Sequence, residues 1–264
     1  MIRCKSFIAL VAVLACFCGC SSSGNQKKLK VAATPVPHAQ MLEFIKPNLK
    51  EQGITLEVVV TNDYNVPNRA LAEKEVDANF FQHIPFMDAQ IAQFHYPIES
   101  LAKIEIEPMG IYSKKIQSLK DLKDNATVGI PNDPTNEGRA LLLLQAQGLI
   151  KLKRPDDLKA TVLSIEKNPK HLKFIEADAA MLPRSLSDLD LVVINTNYAL
   201  EAKLSPKKDA LALESDNSPY VNIIAIRIGD KDRPDLQALQ AAMTSEKMKQ
   251  FILEKYKGAI LPAF

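Results

Sequence analysis

Leu191-Val192-Val193-Ile194 is an unbroken apolar, mostly β-branched run that ends in the amides Asn195 and Asn197. A strand with one face in water alternates apolar and polar residues, so an uninterrupted run belongs to a sheet covered on both faces. The chain carries segments suited to that cover. Leu29–Ala33 reads as a first strand and Ala39–Lys50 as a helix. Ile54–Val60 is β-branched and bounded by Gly53 and Asn62-Asp63, hence a strand. Helices are expected over Asn68–Lys74 and Pro85–Phe94, with a short strand over Val76–Phe81 and extended chain over Leu101–Ile106 and Gly110–Tyr112. Asn125–Ile130 opens a second series. Asp133 as N-cap and Pro134 at the first helical position start a helix that runs to about Gly148. Leu172–Ile175, Leu189–Asn195 and Tyr220–Ile228 are further strands, and Asp235–Met243 and Glu246–Tyr256 are closing helices. Alternation of this kind predicts an α/β fold of mixed, mainly parallel sheets with flanking helices.

The first twenty of the 264 residues differ from the rest. Arg3 and Lys5 precede an apolar stretch from Phe7 to Ala15 that is shorter than the ~20 residues a membrane span needs. This is the form of a secretory signal peptide, residues 1–19. Gly19 before Cys20, followed by Ser21-Ser22-Ser23-Gly24, looks like a bacterial lipobox, with Cys20 as the lipidated residue and a flexible tether to residue 28. Phe17 stands where such a motif usually has Leu, and Cys16 is a rival site; an ordinary cleaved signal with an incidental cysteine is the plainer alternative. All four cysteines lie in this segment, so cleavage before Cys20 leaves no disulfide, thiol nucleophile or Cys-ligated metal in the folded domain. It also removes two basic and no acidic residues, which leaves the two signs equal in number. A nucleic-acid binder would carry a basic excess, so no nucleic-acid partner is expected.

Polar residues gather where apolar strands end, which is where α/β folds bind ligands. Ile130–Arg139 runs from a strand through a polar loop into a helix N-terminus, a site that favours anions. Asn136 and Arg139 share a face there, and Arg139 could fork onto a carboxylate; the plainer reading is an arginine paired with a nearby acid. Phe80-Phe81-Gln82-His83 sets aromatics, an amide and a histidine at a strand-to-helix junction, either around a small apolar side chain or as core aromatics with a structural histidine. Asn195, Asn197 and Asn222 supply amides, which accept from an ammonium without burying a second charge. The four histidines show no ligand spacing, so no metal is expected. There is no nucleophile elbow, Walker loop or glycine-rich dinucleotide fingerprint, and catalysis is not expected.

Taken in order, Asn62-Asp63-Tyr64, Asp77-Ala78-Asn79 with Phe81-Gln82-His83, Tyr112-Ser113-Lys114-Lys115, Pro131–Asn136, Asn168-Pro169-Lys170, Leu182-Pro183-Arg184, Ile194-Asn195-Thr196 and Ser218–Asn222 resemble the methionine-binding lipoprotein (NlpA) family of ABC-importer binding proteins. The resemblance covers about Leu29 to Phe264. It implies a two-lobed periplasmic-binding-protein fold with the ligand cleft between lobes, lobe 1 from 29–107 and 217–264 and lobe 2 from 108–216. It implies no enzyme activity and no cofactor. The partners would be methionine or a close analogue, an importer permease with its ATPase, and a membrane held through the lipid anchor, with the chain monomeric. By this likeness Arg139 holds the ligand carboxylate, Asn195 and Asn222 take the ammonium or carboxylate from the other wall, Tyr64, Phe81 and His83 enclose the thioether, and Asn136 adds a polar contact. The stretch Glu105–Met109 departs from the family by being unusually acidic for a crossing between lobes.

Overall fold

A computed structural model describes residues 27–216 and 218–264. The signal peptide, Cys20 and most of the tether lie outside the described residues. From Lys27 the chain runs β1 (Lys27–Ala33), α1 (Gln40–Glu51), β2 (Ile54–Val60), α2 (Val66–Ala72), β3 (Ala78–His83), α3 (Ile84–Phe94) and β4 (Ile98–Ile106). It then crosses to β5 (Gly110–Tyr112), β6 (Thr127–Pro131), α4 (Pro134–Ala146), the small hairpin β7 (Lys151–Leu152) and β8 (Ile165–Lys167), β9 (Lys173–Ala177), β10 (Leu191–Ile194), α5 (Thr196–Glu201), α6 (Pro206–Asp209) and β11 (Ala212–Leu213). It returns through β12 (Val221–Arg227), α7 (Pro234–Met243), α8 (Glu246–Tyr256) and β13 (Leu261–Pro262).

Two sheets result. The first has the order β13-β4-β12-β3-β1-β2 and the second β11-β5-β10-β6-β9. Both are mixed, but parallel pairing is less dominant than the alternation predicts. In the first sheet β1 lies parallel to β2 and β3, whereas β12 runs antiparallel to β3 and β4. In the second, β6 is parallel to β9 and β10, and β5 is antiparallel to β10 and β11. The cause is the double crossing: β12 re-enters the first sheet from the opposite end, with no helical crossover to turn it round.

Both sheets are covered on both faces, which accounts for the continuous apolar runs. Ile224 and Ile226 pack with α1, α7 and α8, while their neighbours Ile223 and Ala225 pack with α2 and α3. Likewise Leu191 and Val193 face α4, and Val192 and Ile194 face Leu182, Leu186 and Tyr198. Successive strand residues point to opposite faces, so a strand buried on both sides needs every position apolar. Burying one such side chain contributes roughly 1.5–3 kcal/mol. Among the described residues no helix is long and apolar enough to cross a membrane.

Candidate binding cleft

The cleft forms where β3, β6 and β10 each end and a helix begins. His83 closes β3 and is also the N-cap of α3: its Nδ1 accepts from the Phe86 N–H at 3.1 Å. An accepting Nδ1 leaves the proton on Nε2, which donates to Asn136 Oδ1 at 3.1 Å. Asn136 sits in the first turn of α4. Asp133, the N-cap of that helix, accepts from both its backbone N–H and its side-chain amide. Asn136 Oδ1 also accepts from Asn195 Nδ2 at 2.9 Å. Asn195 occupies the N-cap position of α5 but makes no capping bond with its side chain. The amide is thereby turned so that Asn195 Oδ1 remains a buried acceptor with no partner among the described residues. These bonds join the first sheet to the second through His83 and Asn136.

Burial pushes the His83 imidazole down to about 3, with the nearby Arg139 charge adding to it. The ring is neutral at physiological pH. Among the described residues it hydrogen-bonds no carboxylate.

Arg139 lies on α4, one turn after Asn136, and is buried, at 3% exposure. Its Nε and Nη2 fork onto Glu214, with Nη2 2.5 Å from Oε2, and Nη2 also donates to the Glu107 carbonyl at 2.7 Å. The guanidinium carbon stands 4.3 Å from the Tyr220 ring centre. Arg139 therefore joins the two readings its sequence context allowed. It lines the cleft, and it is also paired with an acid. Burial works against its charge, and the Glu214 carboxylate more than offsets this. Nη1 makes no bond among the described residues.

The apolar end is built by Tyr64, Phe81 and Phe86, whose ring centres lie 5.8–5.9 Å apart. Tyr64 donates to Asn197 Oδ1 at 2.6 Å, which links the loop after β2 to α5. A buried amide cluster braces β3 from behind: Asn68 and Gln82 exchange hydrogen bonds at 2.7 and 2.8 Å, and Asn79 bonds both. Asn222 on β12 pairs in register with His83 on one side and Glu105 on the other.

All seven residues expected from the sequence, Tyr64, Phe81, His83, Asn136, Arg139, Asn195 and Asn222, line one cleft. The sequence reading missed His38, Phe86 and Glu107, which line it too, and Glu214 and Tyr220, which hold Arg139. The acidic stretch 105–109 was the signal that pointed to Glu107. Burial raises the Glu105 carboxyl to about 8 and also pushes Glu107 well up, the neighbouring acid adding to the second shift.

Two α/β lobes with an aromatic and polar cleft at their strand ends define a two-lobed solute-binding protein. The chain belongs to the NlpA lipoprotein family, whose profile it matches over residues 29–264. It is 44% identical over 253 residues to the methionine-binding lipoprotein MetQ of Bacillus subtilis, covering 94% of this chain and 92% of the relative. It is 41% identical to the D-methionine-binding lipoprotein MetQ of Salmonella typhi, covering 96% of each. Among solved structures, a nutrient-binding protein from Burkholderia cenocepacia bound to methionine superposes with a TM-score of 0.87 at 49% identity, covering 89% of this chain and all of the other.

Proposed function

We propose that this protein is an extracytoplasmic, lipid-anchored binding protein that captures methionine by hinge closure and delivers it to an ABC importer. The observation that carries the reading is the pairing of opposite needs within one cleft. Arg139, already paired with Glu214 through Nε and Nη2, keeps Nη1 for a second acceptor, and among the described residues the buried Asn195 Oδ1 and Glu107 Oε1 are acceptors without hydrogen-bond partners. A zwitterion answers both. Its carboxylate takes the Nη1 side of Arg139, and its ammonium donates to Asn195, with Glu107 and Asn222 beside it. Buried charge is tolerated only where it is paired, so these groups select a free amino acid over an uncharged solute. The thioether lies among Tyr64, Phe81 and Phe86, where each sulfur–aromatic contact contributes roughly 0.3–1.5 kcal/mol. Closure pivots on the two crossings between the lobes, one at 107–108 and one between β11 and β12, and the closed form docks on the permease. The fold, the family and the relatives' names support this reading.

The primary test is mass spectrometry of what the purified protein releases on denaturation, followed by calorimetry with L- and D-methionine. Bound methionine is expected; release of a dipeptide or another amino acid would redirect the specificity, and an empty cleft that binds none would favour a surface interaction role. Arg139→Ala should weaken methionine binding by about 2–5 kcal/mol, the cost of stranding a buried charge. Unchanged affinity would remove Arg139 from the site.

A further inference from the structure

His38, Glu105 and Glu107 meet where the chain leaves β4 for the second lobe, and all three are buried. His38 Nε2 is 3.4 Å from Glu105 Oε1 and 3.3 Å from Glu107 Oε1. Among the described residues neither Glu105 oxygen, nor Glu107 Oε1, nor His38 Nε2 makes a hydrogen bond of good geometry; the Glu107 carboxyl and the Asn222 amide also stand near the Glu105 carboxyl. Four buried atoms able to ligate a metal, three of them carboxylate oxygens of two neighbouring acids, lack the hydrogen-bond partner that such burial calls for.

We infer that His38, Glu105 and Glu107 form a site for a divalent first-row metal ion of the zinc type at the floor of the cleft. The spacing fits. Tetrahedral ligands at bond lengths of about 2.0–2.1 Å stand about 3.3–3.4 Å apart, the separations of His38 from the two carboxylates. The ligand atoms of the two carboxylates lie within 4.8 Å of each other. One imidazole and two carboxylates suit zinc or manganese rather than calcium, which takes six or more oxygens. A dication also neutralises both acids. The histidine ring is already held in place. Its Nδ1 is 2.6 Å from Thr34 Oγ1, and it stands edge-on to Phe80 with ring centres 4.5 Å apart. An outer hydrogen bond and a packed ring of this kind fix the orientation of metal-bound histidines.

Three protein ligands leave a fourth position. His38 and Glu107 both line the cleft, so that position opens toward the bound solute. A filled site therefore places a dication beside the pocket of the ligand's ammonium. It follows, resting on the amino-acid reading above, that metal and zwitterion oppose each other. By linkage each weakens the other by the same factor.

The test is native mass spectrometry and calorimetry of the amino-acid-free mature protein titrated with zinc chloride, alongside His38→Ala and the near-isosteric Glu105→Gln, their folding checked by circular dichroism. One zinc per chain is expected, with affinity at least tenfold weaker in both variants. Saturating zinc should weaken methionine binding at least tenfold in the wild type and not in Glu105→Gln. Failure of the wild type to take up zinc, or equal uptake by both variants, overturns the site. Methionine binding is measured first without metal, so a failure of the amino-acid reading shows itself separately.

Discussion

His83 carries opposite obligations at one residue. Its Nδ1 accepts the capping bond of α3, which requires an unprotonated Nδ1 and so the neutral ring, and its Nε2–H holds Asn136. An unfolded histidine titrates near pH 6.5, whereas burial holds this one down to about 3 in the fold. Above pH 6.5 the folded and unfolded states both carry a neutral ring, and this residue adds nothing to the pH dependence. Between about 6.5 and 3 the unfolded chain binds the extra proton, so stability falls as pH falls, by up to roughly 1.4 kcal/mol per pH unit from this group. Asparagine keeps a capping acceptor but cannot titrate. The stability gap between wild type and His83→Asn should therefore shrink by about 1–2 kcal/mol as urea unfolding is repeated from pH 7 down to pH 5. A gap that stays constant would mean the folded ring accepts a proton with ease.

At the scale of elements, α4 is the part that aims the site. Asp133 and Pro134 begin it, and Asn136 and Arg139 project from its first turns. Gly138 lets that helix sit against the segment around Leu158. A Cβ at position 138 would lie 2.4 Å from the Leu158 carbonyl oxygen, a backbone atom that cannot rotate away. Gly138→Ala should therefore force α4 outward at a cost of about 1–3 kcal/mol. Because Arg139 follows directly, methionine affinity should fall together with the melting temperature. Scanning fluorimetry and calorimetry on one preparation check both, and an unshifted melt would mean that the 158 segment yields freely. The same helix shows what was readable from residues alone. Its cap, proline and apolar stretch announced it, as Gly53 and Asn62-Asp63 bounded β2, which runs over the expected Ile54–Val60. The first strand instead begins at Lys27, two residues early, because Lys27 and Lys28 continue the ladder to Ile54 and Thr55. The two-residue strands β11 and β13 and the β7–β8 hairpin are too short to show a period. Phe81, His83, Asn136, Arg139, Asn195 and Asn222 stand in polar clusters beside apolar runs, whereas Tyr64, and the role of each in the cleft, were expected only from the family resemblance. Glu214 was not legible, since its bond to Arg139 spans 75 residues. His38 and the Glu105–Glu107 pair likewise meet only through the fold.

For the whole molecule, the lobes are also joined by contacts outside the cleft. Asn62, in the loop after β2, donates to Glu201 on α5 at 3.0 Å, and its carbonyl accepts from Tyr198 at the same distance. Asn62 and Glu201 lie outside the cleft, and the bond between them is exposed. A bond made only between closed lobes biases the open–closed equilibrium by its own free energy, and ligand affinity moves by the same factor. Glu201→Ala removes one exposed hydrogen bond to a charged group, about 0.5–1 kcal/mol. Methionine affinity should fall between about twofold and fivefold although every cleft residue is untouched, and the change should fall mainly on the dissociation rate. The chain has no tryptophan, so stopped-flow tyrosine fluorescence is the readout, with Tyr64 and Tyr198 placed at the junction to report closure. An unaltered dissociation rate would show that the Asn62–Glu201 bond survives in the open form, or that closure draws its free energy from the cleft alone.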